Sequence, residues 1–115
     1  MHMMIALETL GVHPGAVILS IGACIFDPHA SLHGNTGMPV FYCNVSRESC
    51  EEFGLTADPK TEAWWNDQAD EAKAGLMQNQ LSLERALANF VQFWNDTHAK
   101  EVWSYGANFD VVLLS

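Results

Sequence analysis

Three apolar segments separated by turn-forming residues occupy the first 45 positions of the chain. Residues 3–7 form a short apolar run, residues 16–26 a longer run rich in β-branched side chains, and residues 40–45 a third run. Proline, glycine and aspartate lie between these runs, at residues 13–15 and 27–28. Short apolar runs bounded by turn residues are typical of strands. The pattern therefore predicts a three-stranded antiparallel meander.

The following part of the chain has a helical period. Asp58 followed by Pro59 is typical of an N-cap and a first helical residue, and predicts a helix through residue 68. Residues 70–77 either extend that helix or form a second short one. Residues 48–52 are interpreted as a solvated acidic segment.

A longer amphipathic helix is predicted to begin after Ser82, which is a favourable N-cap residue. Its apolar positions fall at i, i+3, i+4, i+7, i+8 and i+11, which places them on one stripe of the helix. The residues of this stripe are Leu83, Ala86, Leu87, Phe90, Val91 and Trp94. We expect the stripe to cover the sheet.

Residues 102–105 predict a fourth strand, residues 106–108 a turn, and residues 109–115 the beginning of another helix. The order βββ-α-β-α predicts an α/β fold, an RNase H-like mixed sheet with flanking helices, in which the fourth strand lies parallel beside the first. Glu8 and Asp110 would then both follow carboxyl ends of neighbouring strands, where open α/β sheets hold ligands. Their carboxylates are expected to converge.

Composition narrows the class of protein. The chain has 115 residues, which predicts one domain, and 49% hydrophobic against 17% charged residues, which requires a buried core. No apolar run reaches the ~18–20 residues of a membrane span, and the first residues lack the features of a secretory signal. Three widely spaced cysteines argue against a disulfide framework. A cytoplasmic protein without membrane partners is expected.

The net charge of −9 leaves two classes of function open. A groove that follows nucleic-acid phosphates usually carries the opposite sign. An acidic module could bind a basic protein partner. Alternatively, a metal-dependent phosphodiesterase could use bound cations to face the phosphate.

Two short motifs favour the phosphodiesterase. Residues 5–11, Ile-Ala-Leu-Glu-Thr-Leu-Gly, resemble the first signature of the DEDD, or DnaQ-like, 3′-5′ exonucleases, Asp-x-Glu-Thr-x-Gly, with Ala6 at the position of the first aspartate. Residues 108–110, Asn-Phe-Asp, match the second signature. Residues 14–23 and 61–68 are similar to the phage and bacterial branch that includes exonuclease VIII-type and Rv2179c-like enzymes. The resemblance spans nearly the whole chain.

The resemblance implies a catalytic centre that holds two Mg²⁺ or Mn²⁺ ions, roughly 4 Å apart, which activate a water and stabilise the leaving oxygen. It implies that Glu8 and Asp110 are catalytic residues and metal ligands, whereas Ala6 cannot ligate a metal. The third signature, with the fourth carboxylate, is expected beyond Ser115, so residues 1–115 are predicted to be a truncated exonuclease domain that is inactive as written. We interpret Ala6 as a deliberate replacement; a natural pseudoenzyme is the alternative.

The resemblance also implies that the substrate is the 3′ end of a nucleic acid, DNA or RNA. Its expected contacts are Thr9, Leu10, Trp64, Trp65, Asn108 and Phe109. Of the two tryptophans, one is expected in the core and the other at the cleft.

Simpler interpretations stay open. Glu8 as a solvated strand-edge residue and Asp110 as an acid at a helix N-terminus would have no catalytic role. The alternative function is a non-catalytic acidic interaction module that binds a protein partner or nucleic-acid ends. A chain that ends on an apolar helix is expected to form homo-oligomers or to associate with its missing C-terminal segment.

Overall fold

Four strands form one mixed sheet in the order β3-β2-β1-β4. The computed structural model describes residues 1–31 and 33–104. The strands are β1 (His2–Thr9), β2 (Ile18–Phe26), β3 (Val40–Asn44) and β4 (Glu101–Ser104). The first three pair antiparallel, and β4 lies parallel beside β1. The predicted meander and the parallel fourth strand are confirmed, and the segments predicted from residue 105 onward lie outside the described residues.

The helices of the described residues follow the third strand. They are α1 (Arg47–Glu52), α2 (Pro59–Asn66), α3 (Asp70–Leu76) and α4 (Leu83–Thr97), with a short 3-10 helix at His33–Asn35. As predicted, Asp58 caps α2 and Ser82 caps α4, each accepting a backbone N–H with its side chain. Helix α3 is separate from α2. Among the described residues, no helix is both long and apolar enough to cross a membrane.

The expectation of solvated acidic residues at 48–52 holds for Glu48, Glu51 and Glu52, which are all exposed. They belong to α1, which is capped by the Ser46 side chain and buries Cys50 completely. One buried side chain in a short, charged helix leaves no apolar period in the sequence. The burial of Cys50 nevertheless fixes α1 against the end of the sheet, where it packs with Val17, Val45 and Leu83.

Helix α4 covers one face of the sheet. Leu83 and Ala86 are buried, and Phe90, Phe93 and Trp94 pack against a cluster formed by the first two strands. The buried members of that cluster are Met3, Ile5, Ala23 and Ile25. The expectation for Val91 is wrong, because it is 54% exposed. One residue turns a helix by about 100°, so Val91 falls beside the sheet-facing stripe while Phe93 lies within it.

Candidate functional site

Ala6 and Glu8 lie on the face of the sheet opposite α4. Side chains alternate between the two faces of a strand, so these two residues share one face and are separated by roughly 7 Å along β1. Both are exposed. Ala6 is paired with Gly22 and Glu8 with Ser20. Because the residue opposite Ala6 has no side chain, position 6 has room for an aspartate whose carboxylate would lie next to that of Glu8.

The strand continues from Glu8 into a tight turn, which we call the strand-end turn (residues 8–11). The pairing of β1 with β2 shifts register between Glu8 and Thr9, which marks a bulge. The Thr9 hydroxyl donates to the Gly11 carbonyl at 2.7 Å. The Leu10 amide donates to the Val17 carbonyl at 2.8 Å. These bonds replace the interrupted ladder and give the turn a defined shape.

Helix α2 holds the same turn from the other side. The Asp58 amide, at the N-terminus of α2, donates to the Leu10 carbonyl at 2.6 Å. Near the end of the helix, the Trp65 indole Nε1 donates to the Thr9 carbonyl at 3.0 Å. The turn that carries Glu8 is therefore attached to both ends of α2.

A cavity of about 210 Å³ lies between this turn, α2 and α3. Its lining is mainly apolar, with charged and amide groups among the wall residues. The lining residues are Leu10, Leu19, Arg47, Glu62, Trp65, Asn66, Lys73, Leu76, Met77 and Gln80. Two of the predicted substrate contacts, Leu10 and Trp65, thus share a wall of one cavity. Thr9 lies next to it in the turn.

The two tryptophans are placed differently. Trp65 packs against the core cluster, whereas Trp64 is 56% exposed, which confirms that one is a core residue and one is not. Their rings meet edge to face with centroids 5.0 Å apart. The expectation that the other tryptophan lies at a substrate cleft stays a prediction; it is the partly buried Trp65 that lines the cavity. Its position is set by the N–H bond to Thr9, which a sequence pattern does not reveal.

Two basic residues that sequence reasoning missed also line the cavity. The Arg47 guanidinium donates to Glu62 at 2.8 Å and to Glu51 at 3.2 Å. The hydrogen bond to Glu62 is the main cause that raises the pKa of Arg47, which is charged at any ordinary pH. The Lys73 ammonium donates to the Asn66 carbonyl at 3.1 Å and lies 3.5 Å from Asp70. The sequence does indicate a basic group in this part of the chain, because three of the chain's five basic residues lie between positions 47 and 73.

Asn44 attaches the far wall of the cavity to the sheet. It is 8% exposed and lies in the same row as Glu8 and Ser20. Its amide nitrogen donates to the carbonyls of Gly75 and Gln78, each at 2.8 Å, and its oxygen accepts from the Tyr42 hydroxyl at 2.7 Å. The C-terminal end of α3 is therefore anchored to β3. Sequence reasoning gave Asn44 no role.

The described residues do not by themselves make up a two-metal site. In residues 1–31 and 33–104, no group of three or more His, Cys, Asp or Glu side chains is placed to hold a metal ion. Glu8 has Ala6 and Ser20 as its neighbours on the sheet, and neither offers a carboxylate. Asn108, Phe109 and Asp110 lie outside the described residues, so the expected convergence of Asp110 with Glu8 stays a prediction.

The sheet order and its flanking helices define an α/β protein whose architecture is compatible with the RNase H-like fold. The sequence model of one family, described as the 3′-5′ exoribonuclease Rv2179c-like domain, matches residues 1–115. The chain belongs to the Rv2179c-like family, which confirms the resemblance seen in the two motifs. Comparisons with curated proteins and with solved structures gave no significant match.

Proposed function

We propose that this chain binds the 3′ end of an RNA strand, as an exoribonuclease domain whose own hydrolytic centre is disabled at Ala6. The observation that carries the proposal is that the cavity is lined by Leu10, two residues after Glu8, and by Trp65, which donates to the Thr9 carbonyl. A base in the cavity would bring its ribose to the end of β1. The family name supplies the choice of RNA over DNA.

The cavity suits a nucleobase in size and chemistry. An apolar cavity of about 150 Å³ holds a benzene ring, so about 210 Å³ has room for one flat heterocycle. Leu10 and Trp65 offer apolar and aromatic surface for it. Stacking of a base on an aromatic side chain is worth about 1–3 kcal/mol. This term does not depend on net charge, which matters in a chain with a net charge of −9.

Of the two cations that line the cavity, Lys73 is the less firmly paired. Arg47 is paired with Glu51 and Glu62. The Asp70 partner of Lys73 is fully exposed to solvent, so this ion pair is weak. Lys73 is therefore the cation best placed to meet a phosphate of the strand. A single phosphate contact predicts a shallow salt dependence of binding, with a slope of about −0.7 for a single strand.

Glu8 supplies selectivity for the strand end. An ionised carboxylate accepts a hydrogen bond from a ribose hydroxyl and repels a phosphate at the same place. A strand that ends in a 3′-hydroxyl should therefore bind more tightly than the same strand ending in a 3′-phosphate. Glu8 and Asp110 are our candidate ligands for Mg²⁺ or Mn²⁺, and Thr9, Leu10, Trp65, Asn108 and Phe109 our candidate substrate contacts.

Fluorescence anisotropy with two labelled RNA strands, identical except for a 3′-hydroxyl or a 3′-phosphate, tests the proposal. The native chain should bind the 3′-hydroxyl strand more tightly, and Glu8→Gln should reduce that preference. Glu84→Gln, an exposed carboxylate on α4, is the matched control and should leave it unchanged. Equal binding of both strands, or no binding, rejects recognition of the 3′ end and favours the acidic interaction module.

Hydrolysis is tested by restoring the missing carboxylate. In a chain that also carries a third signature, Ala6→Asp should release mononucleotides from a 3′-end-labelled RNA in the presence of Mg²⁺ or Mn²⁺. EDTA, Glu8→Ala or Asp110→Ala should stop the release. If the restored, folded chain leaves the strand intact with Mn²⁺ present, the exonuclease reaction is not its function.

A further inference from the structure

One side chain, Trp65, belongs both to the cavity and to the strand-end turn. Its ring lines the cavity. Its indole N–H donates to the carbonyl of Thr9, the residue that directly follows Glu8. Thr9 is only 8% exposed, so water has little access to replace this donor. A single rigid group therefore contacts both the space for a base and the backbone that carries the carboxylate.

We infer that Trp65 is a positioning residue, whose N–H fixes the Thr9 carbonyl and thereby aims the Glu8 carboxylate at a ribose held by the cavity. The inference deepens the proposed function and rests on it. It assigns to the indole nitrogen a role distinct from stacking, which uses the face of the ring.

The bulge explains why the turn needs this bond. Pairing with β2 shifts register between Glu8 and Thr9, where Thr9 is paired with Ile18, so the regular ladder is interrupted at this point. The Leu10 amide belongs to the same peptide as the Thr9 carbonyl and donates to Val17, so this peptide is held by one hydrogen bond on each side. Without the indole, the buried carbonyl loses its donor, which is unfavourable, and the peptide shifts to find another partner. A shift of this peptide would displace Thr9 and, with it, the adjoining Glu8.

The two roles of the indole can be separated by substitution. Trp65→Phe keeps an aromatic ring in the cavity wall and removes the N–H. Trp65→Leu removes both. Trp103→Phe is a matched control, because it also removes one indole N–H bond, donated at 2.8 Å to His2 Nδ1 at the opposite end of β1 from Thr9.

The test measures the ratio of dissociation constants for the 3′-phosphate and the 3′-hydroxyl RNA. Trp65→Phe should lower this ratio by about two- to tenfold, the range that corresponds to one net hydrogen bond. Its affinity for the 3′-phosphate strand should stay close to native, whereas Trp65→Leu should weaken binding of both strands. Amide hydrogen exchange at Leu10 and Asp58 should accelerate in Trp65→Phe, and Trp103→Phe should change neither quantity.

Each outcome decides the inference. A native ratio above one that is unchanged in Trp65→Phe overturns it and leaves the proposed function standing. An equal fall of the ratio in Trp103→Phe would mean that loss of either indole hydrogen bond loosens the protein in general. That result also overturns the inference. A native ratio of one rejects the proposed function and the inference together. Should Trp65→Phe fail to fold, benzothienylalanine at position 65 keeps the bicyclic shape with sulfur in place of the N–H, and the same ratio decides.

Discussion

The two faces of the sheet are built from the same strands but meet different surroundings. On one face, Met3, Ile5 and Ile25 are at most 4% exposed beneath α4. On the other, Ala6 and Glu8 are exposed, and Tyr42 is 63% exposed. Since alternate residues of a strand point to opposite faces, one chain segment serves both. The first face supplies stability and the second is free to carry chemistry.

This separation explains how the fold could stay intact if, as we propose, the hydrolytic centre is disabled at Ala6. Ala6 contributes nothing to the face under α4, and it lies opposite Gly22. An aspartate or an alanine at position 6 therefore leaves the packed face unchanged. A metal ligand at position 6 could therefore be lost without loss of the fold, because its side chain lies on the face that α4 does not cover.

The largest effect is expected on the packed side. Ile21 is fully buried at the centre of the core cluster, so Ile21→Ala should reduce the free energy of unfolding by about 2–5 kcal/mol. Val40→Ala, at a position that is 75% exposed, should change it by less than about 0.5 kcal/mol. Urea denaturation measures both. Equal losses would show that the two faces do not differ as described.

On the second face of the sheet, we expect a substitution at Asn44 to reduce stability. Asn44→Ala removes the side-chain donor that the Gly75 and Gln78 carbonyls share and should cost about 1–3 kcal/mol in unfolding free energy. Residues 70–80 should also become more sensitive to proteolysis. Asn95→Ala, at an exposed position on α4, is the control. A loss below about 0.5 kcal/mol for Asn44→Ala would show that α3 does not depend on this anchor.

Alkaline pH should lower stability through two buried thiols. Burial raises the pKa of the Cys43 and Cys50 thiols above their ordinary value of 9.0. The folded state thus keeps protons that the unfolded state loses, so stability is full below pH 9 and falls as pH rises through the folded pKa values. Each thiol contributes about 1.4 kcal/mol per pH unit in that range. Urea denaturation at several pH values should show a shallower slope in Cys50→Ala, and an unchanged slope contradicts the assignment.

A smaller effect is expected at the start of α4. The Ser82 hydroxyl accepts from the Arg85 amide at 3.2 Å, and its loss in Ser82→Ala should cost about 1 kcal/mol. Ser82→Asp replaces one favourable N-cap residue by another and should restore most of it. Thermal denaturation compares the three chains. If Ser82→Asp is as unstable as Ser82→Ala, the cap does not stabilise the helix.

Elements with a strong period were predictable from the sequence, and contacts between elements were not. The strands and α4 show regular apolar spacing, and Asp58-Pro59 and Ser82 mark their helices by local chemistry. Helix α1 has a serine cap at Ser46 but no apolar period, because one buried cysteine fixes it.

The candidate site follows the same division. Glu8 and Leu10 are found from a local motif. The roles of Trp65 and Asn44 depend on bonds to residues 56 and at least 31 positions away, respectively. Such pairs leave no mark in a single sequence, since neither residue type is unusual at its own position.

We propose that position 6 has lost a carboxylate of a metal site and that Glu8 has kept one, both on the second face of the sheet. A calorimetric titration with Mn²⁺ tests this proposal most directly. Loss of even an outer partner of a metal typically costs about 10–100-fold in affinity. Ala6→Asp should therefore bind Mn²⁺ at least about tenfold more tightly than the native chain, and Glu8→Gln in that background should abolish the gain. Two tight sites in the native chain, or no gain in Ala6→Asp, would contradict the account.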